Sequence, residues 1–146
     1  MRRLLNLALA SALSLPAAGC FNLAGDCKNT VVKSIDAPDG RWRAVLFERS
    51  CGATTGFTTQ ISILAKGAPV KGSGNVFVAD QGDPAYRTAW GGPWADMAWT
   101  SARSLNVDFD GRAKVFVQEP SHRAIRIQFA PRRLTERLAD ESATLR

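Results

Sequence analysis

Hydrophobic and polar residues alternate with a period of two along most of this chain, the repeat of strands that bury one face and wet the other. Phe57, Thr59, Ile61 and Ile63 alternate with Thr58, Gln60 and Ser62, and Leu105, Val107 and Phe109 alternate with Asn106, Asp108 and Asp110. Ile125, Ile127 and Phe129 alternate with Arg126 and Gln128 in the same way. Val31 to Ile35 leads into Ala37-Pro38-Asp39-Gly40, and Arg41 to Arg49 continues as a strand. Proline presets φ and glycine accepts a positive φ, so this stretch predicts a hairpin. The Asp110-Gly111 step predicts a second tight hairpin into Val115 and Val117. Asn75 to Ala79 and Asp96 to Thr100 are shorter strand candidates. About seven or eight strands with no long helix between them predict an all-β fold, a single antiparallel domain built as a sandwich, a curved meander or a small barrel.

The two ends depart from this pattern. Residues Arg2 and Arg3 precede an apolar stretch from Leu4 to Leu15, broken only by Asn6, Ser11 and Ser14, and then come Pro16 and Ala17-Ala18-Gly19-Cys20. The apolar run is shorter than the roughly 20 residues that cross a bilayer, so it reads as an export signal rather than a permanent span. A cysteine directly after small residues resembles a bacterial lipoprotein signal, although Ala17 stands where that signal usually has leucine. An ordinary secretory signal, with Cys20 left as a thiol or half of a disulfide, is the other reading. The lipoprotein reading implies cleavage between Gly19 and Cys20 and acyl chains on Cys20, two or three of which anchor a protein stably. Phe21, rather than aspartate, resembles the pattern that sends lipoproteins outward in Gram-negative cells. The expected location is the bacterial cell envelope, lipid-anchored, on the outer membrane facing the periplasm if the host is Gram-negative. At the other end Pro131 opens a stretch in which Leu134 and Leu138 lie four apart among mixed charges. That stretch predicts a short C-terminal helix or a disordered tail. The expected organisation is a signal over 1–19, a tether over 20–29, the β domain over 30–130 and a tail over 131–146.

Composition sharpens this. The 127 residues after Gly19 suffice for one domain, and loss of Arg2 and Arg3 lowers the formal charge from +6 to +4. The excess is scattered, which argues against nucleic acid as a partner, since that needs clustered basic residues on one face. Three cysteines are an odd count for an exported chain. If Cys20 is lipidated, Cys27 and Cys51 remain, and an oxidising compartment makes a disulfide between them the expectation. No Cys-x-x-Cys or histidine cluster suggests a metal, and no cofactor is expected.

Two segments are candidate contact surfaces. Cys51-Gly52-Ala53-Thr54-Thr55-Gly56 reads either as an anion-holding loop, with Thr54 and Thr55 as contacts, or as a turn whose threonines satisfy nearby backbone. Tyr86, Trp90, Trp94 and Trp99 surround Gly91-Gly92-Pro93 and form either a stacking platform for a sugar or protein, with Trp90 the most exposed, or part of the core. Catalysis is not expected. The sole histidine, His122, lies in a predicted turn beside Ser121, and Asp80, Asp83, Asp96, Asp108 and Asp110 lack calcium-loop spacing. Asp108 and Asp110 are expected on a solvated strand face.

Pro38-Asp39-Gly40, Ala44 to Arg49, Cys51 to Phe57 with Thr59 to Leu64, and Gly74 to Asp80 resemble a family of small bacterial envelope proteins with no assigned activity. The resemblance covers residues 36–80 well and 97–129 loosely, and it implies pairing of an upstream cysteine with Cys51. The expected function is a non-catalytic binding or scaffolding module tethered to the bilayer, its partner an envelope protein or cell-wall glycan. The alternative is an inhibitor of an exported hydrolase such as a cell-wall lytic enzyme.

Overall fold

A computed structural model describes residues 27–52, 55–81 and 88–133. Nine strands follow in order: β1 (Lys28–Asp36), β2 (Trp42–Ser50), β3 (Thr58–Ala65), β4 (Phe77–Asp80), β5 (Ala95–Ser101), β6 (Ser104–Asp110), β7 (Lys114–Gln118), β8 (Ser121–His122) and β9 (Ile125–Arg132). They form a five-stranded sheet in the order β1-β2-β3-β4-β7 and a four-stranded sheet in the order β5-β6-β9-β8. Neither closes into a barrel. The architecture is all-β and sandwich-like, without helix among the described residues. The expected tail helix falls on residues 134–146, outside the described ones; β9 itself runs through Pro131 to Arg132. β8 pairs only with Ile125 and Arg126, so Pro131 sits where that side of β9 is open and its missing N–H interrupts no β8 ladder.

The first hairpin forms as the sequence predicts. Ala37 N–H donates to the Trp42 carbonyl at 2.8 Å and Gly40 N–H to the Ala37 carbonyl at 2.8 Å, with Gly40 at φ +68°. β1 and β2 pair along their length from Lys28 opposite Ser50 to Asp36 opposite Arg43, with a bulge between Val31 and Lys33. The Cys27–Cys51 disulfide closes this hairpin beyond its last pair.

The second predicted hairpin does not form. β6 and β7 are consecutive but lie in different sheets, because β6 already pairs with β5 on one side and β9 on the other while β7 completes the first sheet beside β4. Nor is the domain wholly antiparallel, since β6 and β9 run parallel. Asp110, expected on a solvated face, is buried at the crossing. Its carboxylate accepts from Arg112 N–H, Nε and Nη2 at 3.0, 2.9 and 2.6 Å, so the charge that burial isolates from water is met by a cation and a backbone donor.

The core lies between the sheets. Leu46, Ile61, Ile63 and Phe77 from one sheet meet Met97, Leu105, Val107, Phe109, Ile125 and Ile127 from the other. At one margin the sheets are tied by the Lys33–Asp96 ion pair and by Trp99 Nε1, which donates to the Ile35 carbonyl at 3.1 Å.

β2 and β3 are buried on both faces. Val45 and Phe47 alternate with core-facing Ala44 and Leu46, yet they are 1% and 0% exposed. The long β3–β4 connection accounts for this. Arg43 and Arg49, on the same face as Val45 and Phe47, donate to the Ala68 and Gly72 carbonyls at 2.6 and 2.8 Å. Neighbouring Gln60 and Ser62 accept from Gly74 N–H at 2.6 Å and Asn75 N–H at 3.2 Å. The stretch from Ala68 to Gly74 is therefore strapped across the outside of the first sheet, and Asn75 and Val76 return to its edge. The buried polar side chains of β3 supply the hydrogen bonds that an irregular backbone needs when it leaves water.

Candidate functional site

The fold separates two ends. Cys27, Cys51 and the start of β3 lie at one, and Trp42, Ala65 and the β1–β2 turn at the other. From Trp42 to Ser50 the distance is about 26 Å at the usual strand rise.

Both expected contact loops come to the cysteine end. Thr55 Oγ1 donates to the Gly52 carbonyl at 3.1 Å, the local turn geometry of one of the two readings. Thr54 and Tyr86 lie outside the described residues. Trp90 is half buried, packs against the core and donates from Nε1 to Thr59 Oγ1 at 3.0 Å, while Thr59 donates to the Pro93 carbonyl at 2.6 Å. Trp94 is half buried too, its carbonyl accepting Asp110 N–H at 2.9 Å. Gly92 is fixed by close approach. A Cβ there would overlap Thr59 Oγ1 and lie 3.0 Å from Thr59 N, so a side chain would push the loop off β3. The Trp90 side chain's polar group is thus spent inside the fold.

The predicted acids are dispersed. Asp96 pairs with Lys33, Asp108 with Arg132 at 3.3 Å and Asp110 with Arg112 at 2.6 Å; Asp80 accepts Gln81 N–H, and Asp83 is outside the described residues. Among the described residues no three histidine, cysteine, aspartate or glutamate side chains gather as metal ligands would.

The far end carries an open cleft of about 360 Å³, lined by Trp42, Leu64, Ala68, Asn75, His122 and Arg123 among others. It forms because β4 begins only at Phe77, paired with Ile61, and leaves the last residues of β3 without a strand beside them. Asn75 fills part of that gap. Its amide accepts from Ile63 N–H and donates to the Ile63 carbonyl, both at 2.9 Å, as a neighbouring strand would. The other wall is the β8–β9 hairpin. His122 pairs with Ile125, so Arg123 and Ala124 alone make the turn, at φ 47° and 62°. Positive φ at both central residues is the mark of a type I′ hairpin, normally built from Asn-Gly, and costs a residue with a Cβ roughly 1–2 kcal/mol. The Arg123 guanidinium lies 5.9 Å from the centre of the Trp42 ring, within reach of a cation–π contact.

Burial first, and the Arg123 charge second, lower the His122 pKa below its ordinary 6.5. The fold therefore favours the neutral imidazole. Stability from this source is intact above pH 6.5 and is lost as the pH falls through the lowered value, because the unfolded chain takes up the proton first. His122 is the one histidine in the chain, so its imidazole proton signals can be followed by NMR without ambiguity. The expected midpoint lies below 6.5, and Arg123→Asn should move it part of the way back. A midpoint at or above 6.5 would contradict this environment.

The cleft was not among the expected surfaces. The sequence marks His122 only as a candidate base, and Trp42 only as part of a strand. The legible signal was the Arg-Ala pair between Ser121-His122 and the alternating Ile125 run, too weak without glycine or asparagine to mark a hairpin. These features define a sandwich-like all-β domain of two sheets, with an open cleft at one end lined by Trp42, His122 and Arg123 among others. No protein-family model, no curated protein and no solved structure matches the chain.

Proposed function

We propose that this chain is a lipid-anchored, non-catalytic binding module of the bacterial cell envelope, held by acylated Cys20 with its cysteine end toward the bilayer and its cleft away from it. The observation that carries the reading is the cysteine count. The chain has three cysteines, Cys27 and Cys51 pair with each other, and Cys20 is left directly after Ala17-Ala18-Gly19. An exported protein with a single unpaired thiol at that place in an export signal is what lipidation would leave. The seven-residue step from Cys20 to Cys27 spans at most about 25 Å, so the disulfide end stays near the membrane surface. Dispersal of the acids into separate ion pairs, rather than into one cleft, favours binding over catalysis.

In a bacterial host grown with labelled palmitate, the parent chain should take up label and sediment with membranes. Cys20→Ser should take up none and appear in the soluble fraction. Labelling that persists in Cys20→Ser refutes the anchor.

A further inference from the structure

The cleft's chemistry restricts what it can hold. Its lining combines apolar and aromatic surface, with Trp42 the one aromatic ring, and the polar groups of Asn75, His122 and Arg123. No acidic side chain lines it, and among the described residues no carboxylate pairs with Arg123. Its guanidinium keeps donors in a fork that matches a carboxylate, and it is held over the ring that would carry the ligand's body. The volume, about 360 Å³, falls within the range of small-molecule sites, about 300–1,000 Å³. The turn that presents Arg123 gives a second, independent observation. Two consecutive residues with side chains stand at positive φ where Asn-Gly would be unstrained. Strain kept at the rim of a cleft is a pointer to a ligand-facing role.

We propose that the cleft binds a small organic carboxylate, its acid group on Arg123 and its apolar or ring-shaped body on Trp42. This deepens the binding-module reading and rests on it for the ligand's source: in the envelope such carboxylates are carried by acidic wall sugars and by the C-termini of wall peptides. Both present the same chemistry to the cleft. His122, which lines the same cleft, can donate to the carboxylate from a ring N–H.

The test uses the full chain in detergent, titrated by calorimetry with four probes: N-acetylmuramic acid, its neutral counterpart N-acetylglucosamine, D-alanyl-D-alanine and the same dipeptide as its C-terminal amide. At least one acid should bind roughly 10- to 100-fold more tightly than its neutral counterpart, the ratio expected for one charge-assisted hydrogen-bonded contact. Which acid does so identifies the source as sugar or peptide. Arg123→Asn should abolish that preference while melting no lower than the parent, because asparagine accepts positive φ. Equal binding of acid and neutral probes, an acid preference that survives Arg123→Asn, or no binding of either acid up to about 10 mM overturns the proposal. Binding is measured on purified chain whether or not Cys20 is acylated. Failure here is therefore separate from failure of the anchor, which the palmitate label reports.

Discussion

Phe77→Ala should destabilise the domain by about 4 kcal/mol, seen as a fall in the urea midpoint at unchanged slope. Phe77 is 1% exposed and sits on β4, the shortest strand between two longer neighbours of its sheet. Its ring lies 5.2 Å from that of Phe109 on β6 and 5.8 Å from that of Phe129 on β9, so it is the aromatic link between the sheets. Removing it leaves a cavity that the other two rings cannot both enter, since each is fixed to the opposite sheet by its own ladder. The loss is a large share of the roughly 5–15 kcal/mol that a domain of this size has. Phe116→Ala is the matched control. That ring is 56% exposed on β7, and its loss should move the midpoint by no more than about 0.5 kcal/mol. If Phe77→Ala costs under about 1 kcal/mol, the seam between the sheets is not where these contacts place it.

The ease with which parts of this fold are read from the chain follows from how local their causes are. Pro38, Asp39 and Gly40 fix the first turn among themselves, and Asp39 Oδ1 even caps the Arg41 N–H at 3.1 Å, so the β1–β2 hairpin is legible. The alternation in β6 and β9 is legible because each has one core face. Asp110-Gly111 misleads because its local chemistry suits a hairpin and a sheet crossing equally. What decides is whether β6 has a free edge, and that depends on β5 and β9, which pair with it from elsewhere in the chain. Parallel pairing of β6 with β9 is hidden for the same reason.

β3 shows a subtler failure. Gln60 and Ser62 give it the pattern of a half-wet strand, yet both are buried. Their polarity answers to the backbone of residues 66–76 rather than to water, and a binary pattern cannot tell the two apart. The same blindness hid the cleft. Its walls come from β2, the end of β3, the strap and the β8–β9 turn, residues separated by up to 81 positions (Trp42 to Arg123), and none carries a motif of its own. The tryptophans near Gly91 carried the stronger sequence signal, but Trp90 spends its N–H on Thr59 inside the fold. A cluster of aromatic residues indicates buried area first, and only geometry separates a platform from a core.

Loss of the Cys27–Cys51 disulfide, by a Cys27→Ser and Cys51→Ser double variant, should cost about 3 kcal/mol. The two cysteines are 24 positions apart, and closing such a loop in the unfolded chain accounts for a term of about 3.5 kcal/mol in the chain-entropy model. The native hairpin weakens the full effect, because Lys28 already pairs with Ser50 next to the bridge. It also gives the effect a place. β1 is an edge strand, held on one side by β2, and its first residues Lys28, Thr30 and Val31 are exposed. Without the bridge these residues should fray before the rest of the sheet opens, uncovering the edge of β2 beside Phe47, which Val31 faces. Amide hydrogen exchange then distinguishes the two parts of the cost. Protection should fall most over the first half of β1 and its partners at the end of β2, beyond the global loss read from the urea midpoint. Exchange at Leu105 and Val107, in the other sheet, should follow the global loss alone. An unchanged midpoint together with unchanged protection of β1 would mean that the hairpin holds this edge without its cross-link.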